Sequence, residues 1–233
     1  MLANNEIGTI QPIQRLAAIA HENGALFHTD AVQAVGHVDI DVHDLGVDLL
    51  SASAHKFNGP KGIGFLYIRR GLRLEPYQNG GSQEFGLRAG TENVASIVGM
   101  AAALSGNVRR IAEHRDHVVK LEERLLCRLE EGSIRFQRNG AAPRIPGNMS
   151  LSFEGASGEA LLHRLDLQGI CVSTGSACDS VNTQVSHVLK AIGLADSWAR
   201  GTIRISLGRQ NTEEDIDRIA EAMKKALNNK RIK

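Results

Sequence analysis

Ser53, His55 and Lys56 place a hydroxyl, an imidazole and a primary amine within one short stretch of chain. Residues 47–54 (VDLLSASA) are mostly apolar and read as a strand delivering His55 and Lys56 at its carboxyl end. The two-residue period of a strand sets Ser53 and His55 on one face, with Lys56 at the exit before a turn bounded by Gly59 and Gly62. In isolation such a run is ordinarily a solvated lysine beside a half-buried histidine. Here it has company, because residues 25–29 (ALFHT) read as a neighbouring strand that ends at Asp30, with Gln33 just beyond. An imine-forming lysine, an acid able to keep a ring nitrogen protonated, and hydroxyl or imidazole donors for a phosphate together describe a pyridoxal 5'-phosphate site. The cofactor works as an electron sink only while its pyridine nitrogen holds a proton, and Asp30 is of the residue type that enforces this.

The elements that must position these groups alternate. A helix is expected over residues 12–23, where Ile13, Leu16, Ala17 and Ala20 recur at helical spacing between Pro12 and Gly24. A third strand follows at 62–68, and strands alternating with helices predict an α/β sheet whose ligand sits beyond the strand ends. A small-residue helix begins after Asn93, and a long amphipathic helix over 108–131 carries Val108, Ile111, Val118, Leu121, Leu125 and Leu129 before stopping at Gly132. The polar stretch 105–107 reads as a boundary, dividing the chain into 1–105 and 106–233. The second part predicts an α+β domain, with strands at 148–153, 169–173 and 202–207 and helices at 158–166, 186–192 and 212–227. The last helix opens on a Thr212 and Asp215 capping box.

Composition narrows the function. Of 233 residues, 42% are apolar and 23% charged, and Lys and Arg number 27 against 26 Asp and Glu, which excludes disorder and leaves a net charge of +1. That balance removes the bulk electrostatic case for nucleic acid, and no apolar run approaches the roughly 18–20 residues of a membrane span. Three cysteines without a CxxC pair argue for a reducing compartment, with the cytoplasm expected. Cys171, in an apolar ICVS strand, and Cys127, beside the leucine stripe, read as core. Cys178 lies in a run of small and polar residues, 173–180, and is expected to be exposed and mobile. A free thiol with a pKa of about 8.5 is only a few per cent thiolate at neutral pH, so a working Cys178 needs a base or a lowered pKa. The histidines show no paired metal spacing, His114 and His117 reading as a solvated face, so no metal site is expected.

The order NNEIG, HTDAVQ, SASAHKFNGPKGIGFLY, GLRAGTENV, STGSACDS and IRISLGR resembles the NifS and IscS type of cysteine desulfurase, a class V branch of the fold type I pyridoxal phosphate enzymes. The resemblance implies that Lys56 forms the imine with the cofactor, Asp30 pairs with the pyridinium nitrogen, and Gln33 bonds the ring hydroxyl. It places Ser53 and His55 on the phosphate and has Thr91 reach the phosphate of a neighbouring subunit in a homodimer. Asn5 would lie beside the ring hydroxyl and the substrate carboxylate, with Arg204 clamping that carboxylate through two parallel hydrogen bonds. Cys178 would take sulfur from L-cysteine as a persulfide, leaving alanine, and pass it to an acceptor, either an iron-sulfur scaffold or a tRNA-thiolation protein. The spacing from Cys178 to Ser186 matches the longer-loop group, although Val185 stands where that group often has proline.

That resemblance starts partway through the family pattern. The phosphate-binding turn and the histidine that stacks on the cofactor lie upstream of NNEIG in the family, so the chain reads as a truncated large domain followed by a C-terminal small domain. Two other readings stay open. One is a selenocysteine lyase or another class V transferase, indifferent to Cys178; the other is a catalytically incomplete fragment that only dimerises or binds.

Overall fold

The computed structural model describes residues 1–175 and 185–228. The chain folds as two compact units, one of Met1–Leu2 with Gln11–Ile111 and one of Ala3–Ile10 with Ala112–Lys233.

The first unit opens with α1 (Ile13–Glu22), which buries Ile13 and Ala17, one turn apart. Gly24 takes the left-handed conformation (φ 72°) after it, where a side chain would be strained. The next strand, β1 (His28–Asp30), is shorter than its apolar run suggests. Ala25 N–H is spent on the Ala20 carbonyl of the helix end, and Phe27 N–H on the Asp48 carboxylate, so neither is free for a ladder. A helical turn, α2 (Val42–Leu45), is capped by Asp41, whose side chain accepts from the His43 and Asp44 amides.

β2 (Leu49–Ser53) pairs parallel with β1, Asp30 opposite Ser51, and antiparallel with β3 (Gly64–Ile68). Asp48, wholly buried at the start of β2, holds His21, Arg69 and the Phe27 amide at 2.6 to 2.8 Å. Burial works to raise its carboxyl, but these partners outweigh that and bring it below the ordinary carboxylate value. Beyond β2 the chain does not continue as a strand: Ala54–Phe57 is a 3-10 turn, closed by Asn58 in the left-handed region. α3 (Val94–Val108) starts at Asn93, whose side chain accepts from the Ser96 amide. Residues 105–107, expected to be a boundary, are its last turn. Large apolar side chains stand exposed in this unit, among them Leu66 on β3, Val94, Val98 and Val108 on α3, and Tyr77 and Phe85 between.

The second unit is built around an antiparallel sheet, β4 (Gln137–Arg138), β5 (Asn148–Ser152) and β6 (Thr202–Ser206). Its core joins Leu121, Leu125 and Leu129 of α4 (Ile111–Glu131) and Met149 and Leu151 of β5 to Leu161 and Leu165 of α5 (Gly158–Asp166). Further along the chain come α6 (His187–Ala191) and α7 (Asp196–Ala199), and a second cluster packs Ile7 against Leu189 of the one and Ala199 of the other. Ile216 and Met223 of α8 (Glu213–Asn228) complete the main core. The capping box at α8 forms as expected, Thr212 Oγ1 accepting from the Asp215 amide and Asp215 Oδ2 from the Thr212 amide. Arg124 and Arg128 of α4 grip Asp217 of α8 and hold its carboxyl down at about 2.

Three expectations are corrected in this unit. Residues 169–173 form no ladder strand, pairing only through an isolated bridge from Ser173 to Arg204. Cys127 and Cys171 are exposed, not core. On α4 the buried leucines recur every four residues, and Cys127, midway between Leu125 and Leu129, turns to the opposite face. His117 is half buried and donates through Nε2 to the Asn211 carbonyl at 3.0 Å, so it is not a solvated residue.

Candidate functional site

Parallel pairing sets the carboxyl ends of β1 and β2 side by side, so Asp30 and the Ser53–Lys56 stretch share one end of the sheet. There Ser53 Oγ and His55 Nδ1 share a hydrogen bond of 2.8 Å. This pairing does not arise from strand alternation, as the residue pattern suggested. The chain turns into the 3-10 conformation after Ser53, and the turn brings the imidazole back to the hydroxyl while leaving His55 and Lys56 exposed. Asp30 is half buried, with Oδ1 accepting from the Val32 amide at 2.9 Å. That bond folds the chain into the turn that holds Gln33.

The turn is fastened by residues that no motif marks. His37 Nε2 donates to the Lys56 carbonyl at 2.8 Å, fixing the backbone that carries the amine. On the next residue, the Phe57 carbonyl accepts from the buried side chain of Asn107 at 2.5 Å, and Asn107 also bonds the Ala103 carbonyl within α3. Phe57 itself is fully buried. Gly36 lies against it so closely that a Cβ there would fall 2.8 Å from the Phe57 Cβ, and its φ is 79°. Gly59 is tight for a similar reason, against Ala54. Lys56 is thus exposed at its tip and locked at its root. Thr91 lies exposed on the chain leading into α3.

Asn5 and Arg204 belong to the second unit. Arg204, on β6, donates from Nη1 to the Asn5 carbonyl at 3.0 Å, and Asn148 Nδ2 reaches the same oxygen at 3.4 Å. The backbone of Arg204 exchanges hydrogen bonds with Ser173 in both directions. Cys178 lies outside the described residues. A hydrogen bond from a side chain to a backbone carbonyl requires no particular partner type, which is why His37, Asn107 and Asn148 left no mark in the motifs.

In unit one the donor set suits a pyridine ring bearing a phosphate. It offers a carboxylate, an amide, a hydroxyl paired with an imidazole, and an exposed amine on a rigid turn, all in segments that meet at one sheet end.

Comparison with known proteins agrees with this. The family Aminotransferase class-V matches residues 1–219. A cysteine desulfurase IscS of Clostridium botulinum is 48% identical over 234 residues, covering 99% of this chain and 59% of the relative. Among solved structures, a NifS-like protein superposes with a TM-score of 0.88 at 39% identity, covering 98% of this chain and 60% of that one. Another, described as SspA in complex with cysteine, gives 0.71 at 35% identity over 91% of this chain and 58% of its own. The chain therefore spans about three-fifths of the relatives it matches. Its fold is that of the NifS-like fold type I enzymes, and the chain belongs to the class-V aminotransferase family.

Proposed function

We propose that this chain carries the catalytic residues of a pyridoxal phosphate-dependent cysteine desulfurase, which converts L-cysteine to L-alanine and delivers the sulfur to an acceptor. The observation that carries the reading is the exposed Lys56 on its fastened turn, beside the Ser53 and His55 pair and at the same sheet end as Asp30. Asp30 would hold the ring nitrogen protonated, Gln33 the ring hydroxyl, and Ser53 and His55 the phosphate, with Thr91 serving the phosphate of the partner in a homodimer. When bound, the cofactor supplies an electron sink for the pair released at the substrate Cα.

Lys56 Nζ would take the Cα proton of the substrate. In the second unit, Arg204 and Asn5 would hold the substrate carboxylate, the planar guanidinium offering a two-point hold. The Cys178 thiolate attacks the substrate sulfur, so that an S–S bond forms as the Cβ–S bond breaks and the carbon skeleton leaves as alanine after protonation. The persulfide on Cys178 then passes to an acceptor protein of iron-sulfur cluster assembly or tRNA thiolation, in the cytoplasm. The IscS relative and the cysteine complex of the SspA structure support the substrate.

The test is spectroscopic first. Pyridoxal phosphate added to the protein is expected to give the imine absorbance band, and Lys56→Ala to abolish it. With L-cysteine, Cys178→Ala is expected to keep the band and stop sulfide release. Sulfide release that continues without Cys178 would favour a selenocysteine lyase or another class V transferase, and no band at all would sink the proposal for this chain.

A further inference from the structure

α3 is made almost wholly of small or apolar residues (VASIVGMAAALSGNV), yet of its 15 described residues only Asn107 is buried, at 4% exposure. Burying an amide costs free energy unless its hydrogens and oxygen find partners. Asn107 meets that condition. Its Nδ2 donates to the Phe57 carbonyl at 2.5 Å and to the Ala103 carbonyl, one turn back in α3, at 2.9 Å. Its Oδ1 accepts from Asn58 Nδ2 at 3.5 Å. With two carbonyl oxygens facing it, this place suits an NH2 group and no hydrocarbon of the same size.

The turn that carries Lys56 cannot close its own end. A helical segment leaves its last carbonyls without partners inside it, and Ala54–Phe57 is too short to supply any. The Ala54 carbonyl is met by the Asn58 and Gly59 amides. Those of Lys56 and Phe57 are met by side chains, His37 from the loop after β1 and Asn107 from α3, 50 residues beyond Phe57. Asn58, which ends the turn at φ 65°, a region disfavoured for residues with a Cβ, has its own side chain on the same Asn107 amide. Asn107 thus holds both residues that follow Lys56.

We propose that Asn107 is a positioning residue for Lys56, keeping the turn closed behind the amine so that Nζ leaves the sheet end from one fixed root. Phe57 is buried and Lys56 exposed, so the place of the amine is set by the residues behind it and not by packing of its own. An amine that must meet one carbonyl carbon gains from a fixed root, because each added freedom lowers its effective concentration there. The purpose of the clamp rests on the pyridoxal phosphate reading, and the tests separate the two.

Amide hydrogen exchange, read residue by residue by NMR in the 233-residue protein without cofactor, tests the clamp itself. Asn107→Leu is expected to speed exchange of the Asn58 and Gly59 amides at least threefold, while the amides of the β2 and β3 ladder keep their wild-type rates. Unchanged rates at Asn58 and Gly59 would overturn the proposal. So would an equal rise along the ladder, which would make Asn107 a stabiliser of the whole unit. Should Asn107→Leu fail to fold by circular dichroism, Asn107→Ala, which cannot overfill the site, is judged by the same two outcomes.

The consequence for the amine is read by adding pyridoxal phosphate, reducing with borohydride and locating the label by peptide mass spectrometry. Lys61, exposed in the same unit, is the reference. Wild type is expected to carry the label on Lys56 in preference, and Asn107→Leu to lower the ratio of Lys56 to Lys61 at least threefold. A ratio unchanged in the variant sinks the positioning role. A wild type that labels both lysines alike would count against the pyridoxal phosphate site and leave the exchange result standing.

Discussion

His37 shows how a residue can matter without touching a ligand. Its imidazole donates to the Lys56 carbonyl, so what it controls is the direction in which the amine leaves the turn. A hydrogen bond of this kind is worth a net ~0.5–1.5 kcal/mol, which as an affinity is roughly two- to tenfold. His37→Ala is accordingly expected to weaken pyridoxal phosphate uptake by about that factor, read from an absorbance titration, while Lys56 still forms the imine. Loss of the band altogether would mean that His37 does more than orient the backbone. The residue types at Ser53, His55, Lys56 and Asp30 could be picked out from the sequence because their chemistry is specific. His37, Asn107 and Asn148 could not, because each acts through a backbone group far along the chain.

At the scale of elements, what was legible followed from periodicity and caps. Residues 158–166 form the helix that their spacing predicts, and the Thr212 and Asp215 box opens α8. The 3-10 turn after Ser53 was not legible, since Leu50, Ala52 and Ala54 alternate with Ser51 and Ser53 up to the exit and nothing local distinguishes a strand exit from a tighter turn. The turn is imposed from outside, by Asn107 and His37 on its carbonyls and by Gly36 making room for Phe57. Residues 169–173 failed as a strand for a related reason: apolar character was present, but the ladder partner was limited to one bridge.

The clasp between α4 and α8 gives a pH dependence with a definite sign. Hydrogen bonds from Arg124 and Arg128 lower the Asp217 carboxyl from 3.8 to about 2. A depressed carboxylate contributes stability above its unfolded value and loses it as pH falls toward the folded one. Asp217→Asn should thus be less stable than wild type in urea at pH 6, and the gap should close between about pH 4 and pH 2. A gap that persists undiminished at pH 2 would place the effect of Asp217 outside this ion pair.

The whole molecule is not divided at a single point along its chain. Residues 3–10 belong to the second unit, although residues 11–111 of the first unit lie between them and the rest of it. Ile7 is 6% exposed in the cluster with Leu189 and Ala199, so truncating it empties a site built by elements some 180 residues away. Ile7→Ala is expected to cost the second unit about 2–5 kcal/mol. The transition is observable through Trp198, the one tryptophan, which lies next to Ala199 and under the Arg135 guanidinium at 5.3 Å. An unfolding midpoint unmoved at Trp198 would show that this packing carries no weight.

The same excursion sets a clock for synthesis. Ala3–Ile10 leaves the ribosome roughly 190 residues ahead of Arg204, which at about 5–20 residues per second is a wait of about 10–40 s. Through that interval Glu6 and Ile7 have no site to enter, and the first unit's exposed Leu66, Val94 and Val98 are already made. A nascent chain in this state has the whole of its first unit made while residues 3–10 still wait for the elements they pack on.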